Sequence, residues 1–472
     1  MIERDRKVAI PVINASATVG VLAEGEVLLA DVVQGRRVPR SIPLSSTGNQ
    51  TDRLLEQLWQ SGLSTLWVMP GSNIARALTC AWFERAGPHW VVVTHPDQQE
   101  PARPLSVLLW PRGGGQREAR RLTLVFPEHA GWNWKLSDAM SLLATVTYMD
   151  QALARPVVDA PDLVAHQLLA DLTLAQPASA PLDLYTLTGS NGAQLPMMGN
   201  ASEVAWTRPL TWVEERQKYL HKYTHFSPYI EACKTVQLGM GTPHYSANGQ
   251  ACDGLRPGIW RANIEPAGSV FDGKQLPKCA DGEWLCTPQI KCCREIGYRV
   301  QVKEGYYWPR SQDALKRWAT TLWLAGERLH TRPHIYRHMQ ARDNVSRSIR
   351  LLARLSLAII EQDRATGGWA RPDWQAQIAS SSRAHLFTHL SRLVRQGTMP
   401  VLVYGDSFWV VSNDPNPLKA VPTLVQSRQW RGYSVGYEAP LPLSDNVRAI
   451  LRRAEYAGQA ASALDALAEE VG

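Results

Sequence analysis

The sequence predicts an α/β fold of the mixed, α+β kind, with an N-terminal α/β domain followed by a larger region of strands and long helices. Two observations predict it. The first 175 or so residues alternate short β-favouring runs with amphipathic helical runs, the pattern of a sheet with helices packed on it. Beyond QPASAPLD, near residue 180, the pattern changes to long helical periods, Gly/Pro-rich turns and a late hairpin. At 472 residues the chain is long enough for two or three domains with sizeable cores.

In order, KVAIPVIN and TVGVLAEGEVLLADV read as strands, the second folding back at a Glu-Gly turn. Asn49 or Thr51 can cap an amphipathic helix, TDRLLEQLWQSGL, which Gly62 closes. STLWVMP, HWVVVTH, PLSVLLW and RRLTLVF follow as strands, with NIARALTCAWFERAG as a helix between the first two and PRGGGQREARR as a basic turn. The helices LSDAMSLLATVTYMDQAL and APDLVAHQLLADL end this part, giving a domain over 1–176 and a linker over 177–184.

The second region, 185–445, opens with an expected helix, TWVEERQKYLHKY, and passes through GMGTPHYSANG to the strand GLRPGIWRANIE. Helix TPQIKCCREIG, strand YRVQVKEGYYW and helices at about 311–330, 343–365 and 372–396 lead to the hairpin VLVYGDSFWVVSN. The tail, 446–472, reads as one surface helix with a basic start and an acidic end.

Composition excludes several classes. No apolar run approaches the roughly 20 residues of a membrane span, and MIERDRKVAIPV lacks a signal-peptide core, so a cytoplasmic protein is expected. The sequons at Asn14, Asn49, Asn200 and Asn344 are then chance matches. A net charge of +7, carried mostly by arginine, permits a polyanion partner. Cys279, Cys286, Cys292 and Cys293 lack zinc-knuckle spacing and read as free thiols. The pairs His221/His225, His330/His334 and His385/His389 have a helix-compatible spacing of four, with no carboxylate or Cys to complete a metal set. The 18 tryptophans, and the run Tyr306, Tyr307, Trp308, are core residues or base-stacking platforms.

Four segments over about 185–445 resemble the palm of family B DNA polymerases, particularly the small polymerase-like proteins of bacterial plasmids and phages. GNASEVAW is similar to the segment entering the palm, and HKYTHFSPYIEACKTVQLGMGTP to the first catalytic motif. There Tyr229 falls where the family has a tyrosine under the incoming sugar, and Thr224 where it has a metal-binding aspartate. SRSIRLLARLSLAI lies where the fingers helix would be, with Arg350 in place of its lysine. The hairpin resembles Tyr-x-Asp-Thr-Asp-Ser: it keeps Tyr404, Gly405 and Asp406, has Ser407 for threonine, and has Phe408 for the second aspartate. Strand alternation puts Asp406 and Phe408 on one side and Ser407 on the other.

The resemblance implies a palm with helical fingers behind a ribonuclease-H-like, exonuclease-like α/β domain. In that domain VAIPVINAS would be the first strand, with Asn14 and Ser16 near the Asp-x-Glu positions, and LWVMPGSN the next motif, without its aspartate. Two-metal phosphoryl transfer needs carboxylates that hold two cations about 4 Å apart. A lone Asp406 binds one Mg²⁺ at most, weakly, unless a loop carboxylate such as Asp253, Asp272 or Asp281 joins it. For nucleotide or DNA contacts the resemblance implies Tyr229, Arg347, Arg350 and Arg354, with Arg383, Arg392, Arg395 and Tyr404 around the hairpin. Three readings follow: a non-catalytic DNA-binding protein on a polymerase scaffold, an active DNA polymerase using Asp406 and a non-standard carboxylate, and a structural or protein-interaction subunit.

Overall fold

The computed structural model describes residues 19–23, 26–33, 36–43, 65–70, 90–94, 105–111, 120–128, 130–173, 189–193, 195–196, 204–225, 227–266, 284–332, 334–362, 370–421, 435–437, 439–453 and 460–471. The chain forms two compact units that are not simply consecutive. One comprises Met1–Leu168 with Leu324–Ser356, the other Leu169–Trp323 with Leu357–Gly472. Compactness thus divides the chain at Leu168, ahead of the 177–184 linker read from composition, and returns part of the second region to the first unit.

The first unit is built on a seven-stranded sheet of β1 (Val19–Ala23), β2 (Glu26–Val33), β3 (Arg36–Pro43), β4 (Thr65–Val68), β5 (Trp90–Thr94), β6 (Leu105–Pro111) and β7 (Arg120–Val125). Its order is β3-β2-β1-β4-β7-β6-β5, with β1, β4 and β7 parallel and the other pairings antiparallel. The strand beside LWVMP is therefore VGVLA, in register Gly20↔Leu66. VAIPVINAS, expected in that place, lies outside the described residues, as do the helices expected at TDRLLEQLWQSGL and NIARALTCAWFERAG.

Helix α1 (Ala139–Leu153) starts at Asp138, whose carboxylate accepts from Ser141 N at 2.7 Å while the Ser141 hydroxyl accepts from Asp138 N. It buries Leu142, Val146 and Met149. Helix α2 (Pro161–Leu172) follows, and α5 (Lys316–Thr331) and α6 (Met339–Gln362) each contribute a part to this unit. Asn344 of α6 is fully buried, donating to Lys135 O (2.7 Å) and accepting from Lys135 N (3.0 Å), and Trp134 Nε1 donates to Ser348 Oγ (2.7 Å). A sequon asparagine that is a buried strut offers no attachment point for a glycan.

In the second unit, β8 (Ala205–Thr207), β9 (Tyr219–His225), β16 (Leu402–Tyr404), β17 (Ser407–Ser412) and β18 (Val435–Tyr437) form a sheet in the order β18-β9-β17-β16-β8, and β19 (Leu441–Pro442) also pairs with β9. Helix α7 (Pro372–Arg395) packs against α3 (Pro228–Thr235) and α4 (Thr287–Glu295). Its Phe387, Leu390 and Leu393 join Tyr223, Phe408 and Val410 in one core. The opposite sheet face, with Leu220, Leu402 and Trp409, is covered by α9 (Asp445–Arg453) and α10 (Ala460–Val471) through Val447, Leu451 and Leu467. A second sheet runs β11 (His244–Ser246), β14 (Tyr298–Tyr307), β12 (Gly258–Pro266), β13 (Trp284–Cys286). β10 (Leu238–Met240) pairs with β15 (Arg310–Gln312), and the short α8 (Pro417–Ala420) follows the hairpin.

Two expectations are corrected here. TWVEERQKYLHKY is not a helix: it holds a 3₁₀ turn, Glu214–Arg216, and then β9. Glu214 is held by Arg208 and, with Thr211, forms a reciprocal capping pair at the start of that turn. From there Leu220, Lys222 and Thr224 alternate with His221, Tyr223 and His225, a strand period. The tail is not one surface helix either. It forms α9 and α10, and both bury apolar residues against the sheet.

Candidate functional site

The hairpin closes through a two-residue loop, Gly405-Asp406, with Tyr404 paired to Ser407. Gly405 has φ of 53°, the left-handed conformation that a type II′ loop demands at its first position and that glycine adopts without strain. Asp406 therefore sits in the turn, not on a strand, and the alternation expected to align it with Phe408 stops there. Its carbonyl accepts from His225 N at 2.9 Å, and Gly405 N donates to Val204 O at 2.8 Å. Those two bonds tie the tip of the hairpin to the end of β9 and the start of β8.

Antiparallel pairing sets Ser407 opposite Thr224 and Phe408 opposite Tyr223. The Thr224 and Ser407 hydroxyls are hydrogen-bonded at 2.9 Å. Phe408 points the other way, into the core beneath the sheet, where it is 1% exposed and stacks on Tyr223 with ring centroids 5.3 Å apart. So two segments far apart in sequence do meet, but the residue facing Thr224 is Ser407 and not Phe408. Neutral hydroxyls are poor partners for Mg²⁺, and Asp406 is the lone carboxylate of the turn. These residues do not fit a two-metal centre. Asp253 is tied to Leu255 N, Arg256 N and the Arg256 guanidinium (3.3 Å) in its own loop; Asp272 and Asp281 lie outside the described residues. Among the described residues no group of three or more His, Cys, Asp or Glu side chains could hold a metal ion.

Beneath the same end of β9 lies a polar cluster that spacing along the sequence does not reveal. His225 bonds Glu231 at 2.6 Å, and its ring meets that of His389 edge-on at 5.8 Å. The His221/His225 pair is thus a strand pair on one face, not a helical one, whereas His385 and His389 are on α7. Burial raises the Glu231 carboxyl, but its hydrogen bond to His225 and the nearby histidines outweigh this and hold it below its ordinary value. Burial drives His389 down to about 3.

A histidine depressed in the fold is protonated first in the unfolded chain, so stability falls as pH falls from about 6.5 toward 3. Glu231 adds a loss of the same sign at lower pH. Replacing His389 with Leu is expected to flatten the fall in the urea midpoint between pH 6 and 4. An unchanged slope would remove His389 from the account.

The other expected contacts divide by exposure. On α6, Arg347, Arg350 and Arg354 share the face opposite Ile349, Leu352 and Ile360, which are buried. Leu355 and Ile359, on the borders of that apolar face, are only partly buried. Arg392 and Arg395, in the last turn of α7, are exposed. Arg383 is not available for nucleic acid: it is 8% exposed, its guanidinium over the Phe387 ring, in the fully buried stretch 377–384. Tyr229 is 40% exposed in the first turn of α3, and Tyr404 packs against the apolar cluster under α9 and α10.

Trp308 and Tyr306 are core residues, and Tyr307 stacks on Trp260 with centroids 6.2 Å apart, so this run is not a free stacking platform. Cys286, Cys292 and Cys293 are buried free thiols; Cys279 lies outside the described residues.

No family model matches the sequence, and no curated protein matches it. Among solved structures, the chain is similar to Phi29 DNA polymerase complexed with primer-template DNA, at 10% identity and a TM-score of 0.39, covering 90% of this chain and 84% of that one. It is also similar to the orthorhombic crystal form of that polymerase (10%, TM-score 0.39, 90% and 83%) and to its ternary complex with DNA and incoming nucleotide (9%, TM-score 0.38, 90% and 85%). Among the described residues no helix is long and apolar enough to cross a membrane.

Proposed function

We propose that this chain is a DNA-binding protein on a family B polymerase-like scaffold, with a phosphoryl-transfer centre reduced to one carboxylate, Asp406. The observation that carries this reading is the Thr224–Ser407 pair. Two hydroxyls bond each other at 2.9 Å beside the Asp406 turn, where two-metal chemistry requires carboxylates. One Mg²⁺ held loosely by Asp406 is the most that this turn supports. Binding to DNA draws support from the arginine stripe of α6 and, separately, from Arg392 and Arg395, since guanidinium groups suit bidentate phosphate contacts. The first unit, with its mixed sheet, is read as an exonuclease-like scaffold.

Fluorescence anisotropy with a labelled primer–template tests the binding. The apparent association constant is expected to fall steeply with salt. The triple variant Arg347→Ala, Arg350→Ala, Arg354→Ala is expected to reduce that log–log slope by about 3, one phosphate per arginine. An unchanged slope would exclude the stripe, and no binding by the wild type would leave the interaction-subunit reading. Primer extension with Mg²⁺ or Mn²⁺ is expected to give no incorporation. Extension that is abolished by Asp406→Asn would instead establish an active polymerase.

A further inference from the structure

Between β8 and β9 the second unit presents Trp212, 68% exposed, the one exposed tryptophan among the described side chains. The turn around it is fixed. The 3₁₀ segment Glu214–Arg216 is held by Arg208 and by the Thr211–Glu214 pair. It brings residue 216 back over residue 212, so that the Arg216 guanidinium lies 4.7 Å from the centre of the Trp212 ring. The indole is thus held against a cation while most of the residue stays open to solvent.

The charges around it do not cancel. Glu214 is paired with Arg208, Glu215 with Arg452 at 2.7 Å and Asp445 with Arg448 at 3.0 Å. Arg448 also donates to the carbonyls of Glu215 and Gln217, which docks α9 against the turn. Arg216 and Lys218 beside the indole, and Arg453 in the last turn of α9, are exposed and take part in none of these pairs. A hot spot for a protein partner sits inside a well-packed apolar surround, whereas the exposed apolar residues of this segment besides Trp212 are Pro209 and Val213. An open indole among surplus cations is the arrangement that stacks a base and holds its phosphates. The segment precedes Tyr219, at the other end of β9 from His225 and the Asp406 turn, roughly 20 Å along the strand.

We propose that Trp212 is a stacking platform for a base of single-stranded DNA, with Arg216, Lys218 and Arg453 holding the neighbouring phosphates. The choice of DNA over RNA rests on the function proposed above. The platform itself does not, since it belongs to the other unit from the α6 arginines. Fluorescence anisotropy of the full chain with three labelled probes of one length tests it: oligo(dT), the same strand with abasic sites throughout, and a blunt duplex. Oligo(dT) is expected to bind more tightly than the abasic strand, which offers the same phosphates and nothing to stack.

Trp212→Ala is expected to weaken oligo(dT) binding about 5- to 150-fold, the worth of one stacked base, with abasic and duplex binding and the urea midpoint unchanged. Trp212→Phe, which keeps an aromatic face, is expected to recover most of that loss. An equal loss for oligo(dT) and the abasic strand, or no effect of Trp212→Ala, would overturn the proposal. No binding of oligo(dT) would overturn it too, and would assign the indole to a protein partner. Oligo(U) bound as tightly as oligo(dT) would overturn the assignment to DNA. Duplex binding that is lost in the α6 triple variant and kept in Trp212→Ala reports on the function proposed above, so failure of one reading is told from failure of the other.

Discussion

Phe408→Asp is expected to unfold the second unit rather than to create activity. The substitution would restore the second carboxylate that the hairpin's resemblance spells out, so it is the obvious attempt at repair. The side chain, however, lies in the core beneath the sheet, stacked on Tyr223 and packed with Val403, Val410 and Phe387. Removing a buried phenyl ring costs about 3–5 kcal/mol, and burying a carboxylate without a partner adds several more. Together these approach the roughly 5–15 kcal/mol that holds a domain folded. Thr224→Asp is the informative contrast: that position is half-buried on the other face, and the variant is expected to fold. Urea unfolding followed by tryptophan fluorescence checks both. A Phe408→Asp protein with the wild-type midpoint would show that the hairpin can turn this position out toward solvent.

Asp373→Ala is expected to cost about 3–5 kcal/mol of stability, the toll of stranding a buried charge. Arg371 and Asp373 form a bidentate pair at 2.8 and 2.7 Å, each almost wholly buried. The same guanidinium donates to Gly239 O at 2.6 Å and lies over the Trp374 ring, whose Nε1 also donates to Gly239 O at 2.8 Å. Gly239 itself has no room for a side chain, since a Cβ there would meet the Trp308 ring at 2.2 Å. The start of α7, the middle of β10 and the residue that follows β14 are thus pinned at one point. The double replacement Arg371→Met, Asp373→Leu is expected to cost far less than Asp373→Ala, because no unpaired charge remains. Equal losses in the single and double variants would mean that the pair acts through packing alone.

The strands and helices with a clean period were readable from sequence: α4, α7 and the hairpin fall where their patterns put them. Propensity misled at TWVEERQKYLHKY, where Glu, Arg, Gln and Lys favour a helix but a paired strand wins through β17 and β18. Charge misled at Arg383, because α7 is enclosed along 377–384 and counting arginines does not reveal which turn of a helix faces solvent. The His225, Glu231 and His389 cluster was invisible for a different reason. Its members come from β9, α3 and α7, and only the packing of those elements assembles it.

The pairings of β9 bear on how the chain is made. Among the described residues its strand partners, Ser407–Ser412, Val435–Tyr437 and Leu441–Pro442, are translated about 180 or more residues after it. At ordinary elongation rates that delay is roughly ten to forty seconds. The nascent chain must carry Leu220 and Tyr223 without a sheet to lie in, and the Leu220–Leu402–Trp409 face stays bare until Val447, Leu451 and Leu467 emerge. A nascent chain that has emerged only as far as about residue 440 would therefore display a sheet with one uncovered apolar side, the kind of surface to which chaperones bind.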